Sequence, residues 1–197
     1  MSKQTGKLGG RLPLLDPHEL SGAQKELYDR ENTTMVPWAE SAGFRSKTDD
    51  GKLIGPFNPV LFSPDIGRAF LDLQAAEQGH TTLSKRVREV VILSVGAVWR
   101  SDYEVYAHMA VGRSVGLSDE AVRMLAGGEL PSDLTEPERI AQRYTAQLCR
   151  EHRVSTELYH AAEKAFGQQG LVDIAFLAGI YQLVCTLLNG FEIPVPE

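Results

Sequence analysis

The chain has 197 residues, of which 43% are hydrophobic, and a formal net charge of -6 at neutral pH. That length and apolar content suit one domain with a full core, or a compact oligomer subunit, and exclude a disordered chain. The acidic balance excludes nucleic acid as the main partner, because phosphate binding needs a concentrated basic face, but leaves room for an anionic small molecule held by a local arginine pair.

Met1 to Arg11 is polar and glycine-rich, without the apolar stretch of a secretory signal. Pro17 to Glu31 reads as a first helix, with Asp16 as N-cap and Pro17 at the first helical position. Asn32 to Pro64 reads as a long loop. It holds Pro37, Pro56, Pro59 and Pro64 together with Gly43, Gly51 and Gly55, a composition typical of a lid or binding loop. Trp38, Phe44, Phe57 and Phe62 give that loop aromatic anchors against the core. Residues 1–64 are thus expected to pack on a helical core spanning 65–197, the whole forming a single domain.

Helical spacing then predicts elements over Asp65 to Gln78, Ser84 to Trp99, Asp102 to Val115 and Ser118 to Ala126. Gly116 serves as a stop, and Ser118 as an N-cap followed by Asp119 and Glu120. Thr135 and Glu138 have the spacing of a capping box for a helix to about Glu151. Two further helices follow, from Ser155 to about Phe166 and from about Gln169 to Leu188. The fold class is all-α. The last helix is the most apolar stretch and reads as a core or interface helix, not a membrane span. Cys149 and Cys185 stand in no Cys-x-x-Cys or Cys/His motif, so neither a disulfide framework nor a metal site is expected, and the setting is read as reduced and cytoplasmic.

The one cluster with a clear chemical reading is Glu104 and His108, four residues apart on one helix face, with Glu89 on the preceding helix. Histidine exchanges protons near neutrality, and either carboxylate can orient the imidazole and raise its proton affinity. His108, Glu104 and Glu89 are therefore the candidate catalytic residues. Arg100 and Arg113 are candidate carboxylate anchors, and Ser101 and Tyr103 complete the candidate substrate-binding set. Plainer readings stand beside these. Ser101 and Glu104 also fit a capping box, Glu89 can pair with Lys85, and the two arginines can be surface charges. His80, His152 and His160 read as solvated, and the two cysteines as small core residues.

The run Leu83-Ser84-Lys85-Arg86-Val87-Arg88-Glu89-Val90-Val91-Ile92-Leu93, then Tyr103-Glu104, Ala107-His108 and Gly116-Leu117-Ser118, resembles the carboxymuconolactone decarboxylase family. Gly55-Pro56-Phe57-Asn58-Pro59 and the tail around Leu187-Leu188-Asn189 and Ile193-Pro194 are similar to that family too. The resemblance implies an AhpD-like helical bundle that forms homo-oligomers. In the alkylhydroperoxidase branch a Cys-x-x-Cys pair would fall at Ser101 and Glu104, so both thiols of a peroxide-reducing cycle are missing here. In the decarboxylase branch the Glu104 and His108 positions serve a carboxylated butenolide whose ring is its own electron sink. That reading needs no cofactor and implies a lyase or isomerase acting on a small, anionic, enolisable compound. The alternatives are a non-enzymatic helical oligomer or ligand-binding protein and, less favoured, an alkylhydroperoxidase.

Overall fold

The computed structural model describes residues 8–197. The part of the polar N-terminal start that falls in residues 1–7 lies outside them. Eight helices are found among the described residues: α1 Gly22–Ala42, α2 Phe57–Val60, α3 Pro64–His80, α4 Lys85–Trp99, α5 Asp102–Ser114, α6 Asp119–Ala126, α7 Glu136–Glu151 and α8 Thr156–Gly190. No strand is present among them; Lys47 and Leu53 form an isolated bridge in the α1–α2 loop.

The first helix differs from its sequence reading at both ends. Asp16 accepts a bond from the backbone N–H of His18 (2.9 Å), closing a turn and not capping a helix. The helix begins six residues after that aspartate and continues to Ala42, with Pro37 inside it. Residues 32–42, read as loop, are thus helical. Burial of Val36 and Ala39 outweighs the backbone bond that proline removes. The remaining connection, 43–56, starts at Gly43 in the left-handed region and is held down by Phe44 and, just beyond it, Phe57. Phe62 is 40% exposed and anchors nothing.

The later helices follow their sequence signals. Ser84 and Ser118 accept N–H bonds from Val87 and Ala121, and Thr135 with Glu138 forms the capping box. The two predicted final helices run together as α8, broken at Gly167, whose φ of 67 and ψ of 177 are not helical. α8 is long and apolar enough by length and composition to cross a membrane. Its inner face is buried in the core through Leu171, Ile174, Leu177, Ala178 and Cys185. Both cysteines are free and buried, and His80, His152 and His160 are exposed.

Two hydrophobic clusters organise the molecule. One unites α4, α6, α7 and α8 around Val91, Leu93, Val122, Ile174 and Leu177. The other unites α1, α2, α3, α5 and the end of α8 around Leu27, Phe57, Leu61, Tyr103 and Leu188. Tyr181 packs against both clusters, so it marks their seam.

Two positions in the second cluster give sharp stability expectations. Gly55 has a φ of +65, and a Cβ there would overlap the ring of Tyr103. Gly55→Ala should therefore lose roughly 2–4 kcal/mol in a denaturant titration, from overpacking plus backbone strain. Glu31 on α1 is wholly buried and neither carboxylate oxygen has a hydrogen-bond partner. Burial raises its pKa well above the ordinary carboxylate range, with Arg30 opposing. The folded protein then holds a proton that the unfolded chain releases above the ordinary pKa, so stability falls as pH rises through that window. Glu31→Gln should be more stable than the parent at pH 7 by about 1–3 kcal/mol, the cost of keeping a carboxyl protonated well above its ordinary pKa. The gain should vanish near pH 4; an equal gain at both pH values would contradict this origin.

Candidate active site

α4 and α5 are consecutive and pack side by side, with Arg100 as the left-handed cap between them (φ 51). A buried face of α4 carries Glu89, and a buried face of α5 carries Glu104 and His108 one turn apart. His108 Nδ1 lies 2.8 Å from Glu89 Oε2, in hydrogen-bond geometry. Its Nε2 lies 3.3 Å from Glu104 Oε1, close enough for charge pairing but not aligned as a hydrogen bond, so that oxygen is left without a bonded partner. All three residues are at most 5% exposed. The imidazole is thus wedged between two carboxylates in a region shielded from solvent.

Electrostatics follows from that burial. Desolvation drives the Glu104 pKa up to about 7; His108 pulls it down and Glu89 pushes it up. Burial lowers the His108 pKa, but the two carboxylates and the Glu89 hydrogen bond more than offset it, so its proton affinity ends above the ordinary value. Both shifts favour the protonated forms of Glu104 and His108 relative to their ordinary values. Among the described residues, no three His, Cys, Asp or Glu side chains are grouped as metal ligands would be.

The plainer readings of these residues are corrected by the structure. Ser101 is the α5 N-cap residue but makes no side-chain cap bond, and Glu104 turns toward His108 instead of closing a capping box. Glu89 pairs with His108, not with Lys85.

The four candidate substrate-binding residues fare differently. Ser101 is wholly buried at the edge of the cluster with its hydroxyl unpartnered. The Tyr103 hydroxyl donates to the Arg45 carbonyl (2.6 Å), so it fastens the 43–56 loop. Arg113 pairs with Asp119 (2.6 Å) at the outer end of α5, and Arg100 is exposed. Neither arginine makes an ion pair with the cluster. The arginine whose charge bears on His108 is Arg88, adjacent to Glu89 in sequence. It is held by Glu77 of α3, with Nε 3.2 Å from Oε1 and a second contact through Nη2.

Three residues were not singled out for this site by the sequence. Tyr181 meets the His108 ring edge-on, with centroids 4.9 Å apart at 87°. Trp38 lies 6.3 Å from the same ring. Cys185 sits close enough to Glu104 and Ser101 for both to act on its thiol. Burial, then Glu104, raises that thiol far above its usual pKa, and Ser101 opposes weakly. Cys149 is raised to about 11, also by burial. Thiols held this high are poor nucleophiles. No local spacing rule connects α8 to α5, so only the fold reveals these neighbours.

The site is thus a histidine set between carboxylates of two adjoining helices in an all-helical bundle, and solved structures with the AhpD-like fold share that bundle. The model of the Carboxymuconolactone decarboxylase family matches residues 64–147, which span α3 to α6 and most of α7. No curated protein sequence matches the chain. Among solved structures, an uncharacterized peroxidase-related protein from Ralstonia eutropha JMP134, described as an alkylhydroperoxidase AhpD core, superposes with a TM-score of 0.74 at 18% identity. That match covers 96% of this chain and 93% of that one. An uncharacterized peroxidase-related protein from Silicibacter sp. TM1040 gives 0.75 at 15% identity, covering 99% and 96%. The debrominase Bmp8, in complex with 2,3,4-tribromopyrrole, gives 0.71 at 12% identity, covering 95% and 94%. At these identities the likeness is one of fold.

Proposed function

We propose that the protein is a cofactor-independent lyase or isomerase that moves a proton on a small carboxylated lactone or a related enolisable compound. The observation that carries this reading is His108 held between Glu89 and Glu104 in a buried cluster. Carbon dioxide loss from a carboxylated butenolide breaks the bond to the carboxylate and sends its electron pair through the ring to the lactone carbonyl. The resulting dienolate needs a proton delivered to carbon. His108, bonded at Nδ1 to Glu89, presents Nε2 as the acid, and Glu104 beside it can restore the proton. A neutral overall cluster suits an anionic substrate. With Glu104 protonated, the charges of Glu89 and His108, and of Arg88 and Glu77, cancel in pairs.

The test is a spectrophotometric assay of 4-carboxymuconolactone and a panel of carboxylated butenolides with the wild type and His108→Gln. Turnover by the wild type, reduced about 10²–10⁴-fold in the variant, is the expected result. Full turnover by a folded His108→Gln protein would overturn the assignment.

One observation favours a second reading, a binding protein without turnover. A groove of about 420 Å³ is lined by Phe70, Leu73, Val172, Phe176, Ile180 and Leu183 between α3 and α8. A small cavity of about 20 Å³ adjoins Glu31 and Gln74. Neither is lined by Glu89, Glu104 or His108. The larger groove is almost wholly apolar and lacks the convergent polar groups of a reaction site, so the cluster outweighs it in assigning chemistry. No turnover with any compound, together with binding of an apolar ligand in the groove, would favour this second reading.

A further inference from the structure

An acid alone does not complete the proposed reaction. The electron pair arriving on the carbonyl oxygen needs a hydrogen-bond donor, and such stabilisation is commonly the largest single contribution to rate. Glu89 is an acceptor at this point, His108 is committed to the carbon proton, and the protonated Glu104 is committed to restoring the proton of His108. Arg88 is already gripped by Glu77 through both ends of its guanidinium. Ser101 has a free hydroxyl, but it is sealed at 0% exposure and lies beside Cys185.

Tyr181 differs from all of these. Its ring packs edge-on against His108 at 4.9 Å, yet the residue is only half-buried, unlike the cluster it touches. Three of the six phenols are committed to the chain's own backbone, while Tyr144 and Tyr159, like Tyr181, are not. Tyr28 donates to the Gly51 carbonyl, Tyr103 donates to the Arg45 carbonyl, and Tyr106 accepts from the Arg45 N–H. The Tyr181 hydroxyl enters no such bond among the described residues. Burial, then the negative Glu104 and Glu89, hold its pKa well above the ordinary value, with Arg88 opposing, so the phenol keeps its proton. It packs against both hydrophobic clusters, at their seam and beside the imidazole.

We propose that Tyr181 is a catalytic residue of this site, its hydroxyl donating a hydrogen bond to the substrate's carbonyl oxygen as that oxygen becomes an enolate. The proposal rests on the proton-transfer reading above and names the group that would hold the oxyanion. Tyr181 transfers no proton; it donates the bond while His108 protonates carbon. The requirement selects substrates with a carbonyl oxygen conjugated to the carbon that is protonated.

The test uses a stable mimic, so it does not depend on turnover. Tetronate, the anion of an enolic butenolide, and the neutral parent butenolide are titrated by calorimetry into the wild type and Tyr181→Phe. The phenylalanine keeps the ring on His108 and removes only the hydroxyl. Tyr181→Phe should weaken tetronate roughly ten-fold or more, the scale of a lost hydrogen bond to a charged group, and change butenolide binding less than about three-fold. Equal weakening of both ligands, unchanged tetronate affinity, or a wild type that does not bind tetronate would each overturn the proposal. A wild type that binds tetronate through Tyr181 but turns over no lactone would retire the lyase reading alone.

Discussion

His108→Leu should be one of the least stable single variants of this protein, and adding Glu89→Gln should restore much of the loss. The imidazole and the Glu89 carboxylate are both buried and joined at 2.8 Å. Removing only the imidazole leaves an uncompensated buried charge, which typically costs about 3–5 kcal/mol. Leucine fills a similar volume, so little of the loss should come from a cavity. Converting Glu89 to glutamine then removes the stranded charge, and the coupling between the two sites should be on the order of 1–3 kcal/mol. Guanidinium unfolding of the parent, both single variants and the double variant measures it. A double variant as unstable as the sum of the singles would mean that the two side chains do not stabilise each other. The same cycle separates stability from chemistry. The double variant should fold and still lack the acid, so its turnover should remain at the level of His108→Gln.

Much of this site could be read from the sequence because its parts are local. Glu104 and His108 are separated by one helical turn, and Glu89 lies on the helix directly before them, so helical periodicity brings the three together without long-range information. The α3 to α7 boundaries were legible for a similar reason: Ser84, Ser118, Thr135 and Gly116 are terminal residues whose side chains or conformations act within a few positions. What failed depended on tertiary packing. Pro37 signalled a break, but burial of Val36 and Ala39 carried α1 through it. Arg100 and Arg113 were near in sequence, yet Arg100 is exposed and Arg113 pairs with Asp119. Tyr103 satisfies its hydroxyl on the 43–56 loop. Tyr181 could not be found, because it reaches His108 only after α8 folds back across the seam between the two clusters. Glu31 gave no signal either: a polar residue in a polar stretch of sequence becomes a sealed carboxyl only once α2, α3 and α8 enclose it.

Activity on an anionic substrate should fall as pH rises through about 7, and Glu104→Gln should move that limb. The free-enzyme profile of kcat/KM reports the groups that must be protonated. Glu104 is raised to about 7 chiefly by burial. Above that pH it ionises, giving a neutral cluster a net negative charge that opposes an anionic substrate and leaves the proton-restoring position empty. Glutamine cannot ionise, so the remaining limb should belong to His108, which keeps the Glu89 bond that raises its proton affinity and loses the Glu104 charge that also raises it. Because the groups are coupled, the parent's limb is a property of the cluster, and the shift between parent and variant is the diagnostic quantity. Stability should follow the same sign. Folded Glu104 keeps a proton that the unfolded chain loses from about pH 4.5 upward, so wild-type stability should decline between about 4.5 and 7, by an amount on the order of 3 kcal/mol. Raised His108 contributes stability that is present below its unfolded value near 6.5 and lost as pH rises through the higher folded value, which extends the decline. Glu104→Gln should flatten the lower part of that curve and leave the upper part. If neither the kinetic limb nor the stability slope moves in Glu104→Gln, then Glu104 does not titrate near neutrality, and a group other than this carboxyl sets the pH dependence.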